Sequence, residues 1–173
     1  MNQTLLALAA VVSFTYYAYG RHQSDLDVER RALSSETELA ATEVATAVMG
    51  EVLQLAWDHA DVGTTAVRIL PPTSGLGPDK GEAGASAYND IDDFDGLKTQ
   101  RSVSVGAGEL QFDVQVEVEF VDAFDPEKVV ASPTLAKRVE VWVKTPAAAP
   151  GSPSATVKVH RVVSPTGPSP KSN

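Results

Sequence analysis

The densest set of chemically able side chains in this sequence lies just past its midpoint. Asn89, Asp90, Asp92, Asp93 and Asp95 fall within seven residues, and Gly96 follows them. Oxygen donors crowded in this way are what a hard cation recruits, since calcium takes roughly six to eight oxygen ligands. Asp90, Asp92, Asp93 and Asp95 are the candidate ligands. The EF-hand register fails, however. With Gly96 as the turn glycine, Ile91 takes the first ligand position and Ser102 the place of the closing glutamate. The favoured reading is an Asx-rich turn whose carboxylates accept nearby backbone N–H groups, with no cofactor and calcium as the alternative occupant.

Little else could do chemistry. His22, His59 and His160 are scattered along the chain, and there is no cysteine to serve as nucleophile or thiolate ligand. No phosphate-binding loop, dinucleotide fingerprint, nucleophile elbow or paired-histidine zinc motif occurs. An enzyme is not expected. The net charge of −9 comes without any Lys/Arg cluster, which argues against a nucleic-acid partner.

The elements that must position these residues are easier to read. Met1 to Gly20 carries no charged side chain, and Leu5 to Val12 is wholly apolar. Behind it the chain runs without proline to about residue 60, with Gly50 the only glycine after Gly20. One helix over about residues 2–60 is predicted, on the order of 85 Å long at 1.5 Å per residue. In its second part Leu26, Leu33, Ala40, Ala41, Val44, Val48, Val52 and Leu55 recur at helical spacing, a stripe to lay on a sheet. A thinner line holds Val28, Leu39, Met49, Leu53 and Trp57. Residues 4–20 are at the lower edge of what crosses about 30 Å of hydrocarbon. Ala18-Tyr19-Gly20 would pass as a cleavage site, but the positive start of a secretory signal is missing, so an anchor that stays is expected.

Val67 to Leu70 reads as a short strand, and residues 71–87 as a Gly/Pro/Ser-rich loop. From Thr99 the period changes to two. Leu110, Phe112, Val114, Val116, Val118 and Phe120 alternate with polar residues without a miss, after a hairpin at Gly106-Ala-Gly108. Val139, Val141 and Val143 make a third strand, with Arg138, Glu140, Trp142 and Lys144 facing out. Val157 and Val159 begin a fourth, and Val162-Val163 marks a bulge or the strand's end. The expected fold is α+β: a long N-terminal helix packed on a three- to four-stranded antiparallel sheet. Its parts are an apolar helix half (1–22), an amphipathic half (23–60), a β domain (61–163, with a loop at 71–98) and a flexible tail, extended or mobile (164–173).

A greasy helix start that continues as an amphipathic helix, followed by a variable loop and an antiparallel sheet, resembles a type IV pilin or pilin-like protein. Asn89-Asp-Ile-Asp-Asp-Phe-Asp-Gly-Leu97 is similar to a segment of minor pilin-like proteins of the mannose-sensitive haemagglutinin type. The family's leader is not seen here, and Leu5 and Leu6 stand where it carries a glutamate. The resemblance implies an extracellular, cell-surface filament built from copies of the chain, which rests in the inner membrane before assembly. Leu5, Leu6, Leu8, Val11, Val12, Phe14, Tyr16 and Tyr17 would pack in the fibre's centre. The competing expectations are a membrane-anchored monomer that binds or assembles something else, and a virion coat protein.

Overall fold

The computed structural model describes residues 2–63, 69–72, 75–82, 84–105, 108–145 and 154–165. One helix, α1 (Asn2–Val52), is followed by four strands: β1 (Lys98–Val105), β2 (Gly108–Phe120), β3 (Lys137–Lys144) and β4 (Thr156–Val163). The strands form one antiparallel sheet in the order β1-β2-β3-β4, so each pairs with its neighbour in sequence. This is the expected α+β architecture, with four strands.

The alternation in β2 sets the sheet's two faces. Phe112, Val114, Val116, Val118 and Phe120 point inward and are buried, as are Val139, Val141 and Val143 of β3. Val116 pairs with Val141, and Val141 with Val159, so the inner face is a continuous apolar layer. Onto it α1 lays Ala40, Ala41, Val44, Ala45, Val48, Met49 and Val52, all buried. Small and β-branched residues dominate this stripe and let the helix sit close to the sheet. Arg101, on the inward parity of β1, reaches Glu51 of the helix at 2.5 Å.

Several expected boundaries move. The helix runs unbroken through Gly20, giving a rod of about 76 Å, but it stops at Val52 rather than near residue 60. Leu55 N bonds to Val52 O in a tightened last turn. Ala56 then forms a parallel bridge with Asp90, its N donating to Asn89 O and its O accepting from Ile91 N. A partner more than thirty residues away captures this backbone, which no helical periodicity foretells. The amphipathic half also packs later than its stripe implies, for Leu33 is 52% exposed and the sheet contact begins near Ala40.

Ile69 and Leu70 are exposed and not in a strand, and the rest of the Val67–Leu70 segment lies outside the described residues. So do residues 106 and 107 of the hairpin, although the Val105–Gly108 pair closes it. No bulge interrupts β4, whose register runs regularly to the Val163–Lys137 pair. Residues 166–173 of the tail lie outside the described residues. The outer face of β3 is less wet than expected. Arg138 reaches Glu119 at 2.6 Å, and Glu140 is buried between Arg138 and Lys158 at 3.1 and 2.8 Å.

Candidate functional site

The acidic segment folds as a short 3-10 helix (Asp92–Phe94) that enters β1 through Gly96. Gly96 has φ +75°, a left-handed conformation that glycine adopts without strain. Each predicted ligand has its own task there. Asp93 Oδ2 accepts from the backbone N–H of Asn89 and Asp90, at 2.8 and 3.2 Å, and Asp90 Oδ1 accepts in return from Asp93 N at 3.2 Å. Asp95 Oδ1 accepts from Val118 N at 3.0 Å, completing the ladder of β2 just beyond the start of β1. These bonds are those of the expected Asx-rich turn.

Asp92 is different. Its Oδ1 lies 2.8 Å from Lys137 Nζ, which also donates to Trp57 O at 2.7 Å and lies 4.0 Å from Asp58 Oδ2. The ammonium is wholly buried, 4.1 Å from the centre of the Trp57 ring. The cation at this end of the acidic segment is therefore the chain's own lysine. Sequence reasoning missed Lys137, although a signal existed: it shares the inward parity of Val139, Val141 and Val143, and a lysine on that face needs an acid.

The remaining carboxylates gather on the other side. Ligand atoms of His59, Asp79 and Asp90 lie within 4.8 Å of one another, as do those of Asp79, Glu82 and Asp93. Asp79 belongs to both trios, and His59 Nδ1 stands 3.2 Å from Asp79 Oδ2. Glu82 Oε1 accepts from the Asn89 amide. Burial, then hydrogen bonding to Asp92 and the charges of Asp92 and Asp93, push the Asp90 carboxyl up to about 8. It keeps its proton at neutral pH and has a carboxylate neighbour to give it to. Lost hydration and contact with Asp93 also raise Glu82. Of the four candidate metal ligands, Asp90 and Asp93 thus sit where a divalent cation would find further oxygen or nitrogen donors. Asp92 and Asp95 are committed elsewhere. His22 and His160 are not part of this cluster.

The eight apolar side chains proposed for packing form the second candidate site. Leu5, Leu6, Leu8, Val11, Val12, Phe14, Tyr16 and Tyr17 are all exposed, between 61% and 82%. They occupy every side of the rod, so no single face of the sheet could have covered them. Polar groups between them are satisfied locally, as Thr15 Oγ1 donates to Val11 O at 2.8 Å. Val28 and Leu39 extend the exposed apolar surface towards the sheet. The expected transmembrane span is not found: among the described residues, no helix is long and apolar enough to cross a membrane.

The architecture is that of a long helix whose C-terminal third carries an open antiparallel sheet. No protein-family model, curated protein or solved structure matches the chain.

Proposed function

We propose that this chain is the structural subunit of a pilin-like helical filament on a cell surface, in which the projecting helices pack together and the sheet domains form the outside. The observation that carries this reading is the sequence of eight apolar side chains exposed on all sides of one rod, on a chain whose sheet domain already has its own core. Burying a Leu or Phe side chain is worth about 1.5–3 kcal/mol, so such a rod gains strongly from association. A single helical neighbour would cover one side only. A bundle of many copies covers all of them.

The sheet domain suits the outside of such an assembly. Its charges are mixed over its outer face, and the chain as a whole is strongly acidic, which keeps surfaces apart in solution. The test is negative-stain electron microscopy of the purified chain beside Leu8→Asp. Fibres are expected from the former and none from the latter, whose sheet domain stays folded by circular dichroism. Normal fibres from Leu8→Asp, or a monomeric parent chain, would refute the reading.

A further inference from the structure

The projecting helix holds a glycine that its own fold does not explain. Gly20 lies inside α1, and a Cβ built there would meet nothing within 4 Å. Glycine in an exposed helix interior costs about 1 kcal/mol relative to alanine. Nothing among the described residues outside the helix comes within 4 Å of that position.

The charges beyond it give a register. Between residues 21 and 43 the helix carries Arg21, Arg30 and Arg31 against Asp25, Asp27, Glu29, Glu36, Glu38 and Glu43. An open polymer needs a head-to-tail contact, because an antiparallel pair is isologous and closes as a dimer. Consider two parallel copies, one slid along the other. A slide of six residues sets Arg21 against Asp27 and Asp25 against Arg31, brings no two like charges level, and adds an Arg30–Glu36 pair on the opposite side of the rod, outside that contact. Arg21 and Asp25 are ~40° apart around the helix, as are Asp27 and Arg31, so each couple occupies one side of the rod. Slides of four, five or eight residues also pair two opposite charges, but those pairs fall ~120–180° apart and cannot share one contact. Slides of four and five also bring acids together.

The same two sides, followed towards the N-terminus, bring Phe14 of one copy level with Gly20 of the next, and Ala10 level with Tyr16. Each large side chain meets a small one. We propose that neighbouring copies pack α1 in parallel, displaced by six residues or ~9 Å, with Arg21 and Asp25 of one copy on Asp27 and Arg31 of the next and Phe14 seated over Gly20. This rests on the filament reading and specifies its contact. Among the described residues Asp27 pairs with Arg30, at 3.9 Å and well exposed, a contact worth little and readily exchanged.

The chain has no cysteine, so introduced thiols report the register directly. Ala32→Cys with Glu38→Cys lies on the same two sides and should give a disulfide-linked ladder of oligomers on oxidising assembled filaments. Ala32→Cys alone should give none. A disulfide dimer from the single variant means copies in register and overturns the displacement, as does an intact filament of the double variant that fails to cross-link. Arg21→Asp should cut filament yield about tenfold or more, and Arg21→Asp with Asp27→Arg should restore it; failure to restore counts against the pairing. Gly20→Leu should raise helix content while lowering filament yield, and unchanged yield would remove Phe14 from that position. Absence of filaments from the parent chain would instead defeat the filament reading itself.

Discussion

At the scale of single residues, Lys137 is the most consequential side chain on the inner face of the sheet. It compensates two buried carboxylates, and removing one partner of such a group strands charge in the core. Lys137→Met is expected to lower stability by about 3–5 kcal/mol in urea denaturation, and adding Asp92→Leu should recover a good part of that loss. Asp90 makes a pH-dependent contribution of definite sign. Its folded pKa of about 8 stands above the ordinary carboxylate value of about 3.9, so the folded state binds the extra proton between those limits. The stability associated with Asp90 is therefore complete below about pH 4 and is lost as pH rises towards 8. Asp90→Asn keeps an acceptor for Asp93 N without an ionisable group. Its melting temperature should exceed the parent's at pH 8 and converge with it near pH 4. The Asx turn was legible because five oxygen side chains crowd one stretch. The inward parity of Lys137 was readable, but its partners were not, because they come from residues 57, 58 and 92, which only the fold brings together.

At the scale of elements, the strands were the most legible part, because one buried face enforces a strict period of two. β2 was readable from its first apolar residue to its last. The end of α1 was not, because the stop signal is the bridge from Ala56 to Asp90 rather than any helix-breaking residue. Nor could periodicity alone show where packing starts, since Leu26 and Leu33 continue the stripe past the edge of the sheet. The helix is thus one element with two distinct parts, a stripe packed on the sheet and an exposed apolar end. Val48→Asp, in the packed stripe, is expected to unfold the sheet domain, a buried unpaired charge being among the costliest changes. The measurement is loss of the cooperative thermal transition, which Leu8→Asp should leave in place.

At the scale of the whole molecule, net charge would govern how the rods of the proposed filament treat one another. With −9 at pH 7 and a pI near 4.7, filaments of this chain should stay single at neutral pH and low salt. Near pH 4.7 they should bundle side by side, which electron microscopy across a pH series would reveal. The order of strands also matters at this scale. A simple meander leaves β1 and β4 as edges, and both carry basic residues (Lys98 and Arg101, Lys158 and Arg161) that discourage pairing with another sheet. The edges are thus guarded by charge, whereas the apolar side chains of the helix stay exposed.

The way α1 lies on the sheet has a mechanical consequence. A pull along residues 3–36 enters the sheet domain through the stripe from Ala40 to Val52, in a direction parallel to the packed surface. Such a load shears all of those contacts together, whereas a perpendicular pull would peel them one after another. The Arg101–Glu51 bridge spans the same boundary and would resist the slide from its first ångström. One continuous rod thereby serves as handle and as anchor, and tension is shared across the whole stripe rather than concentrated at a hinge.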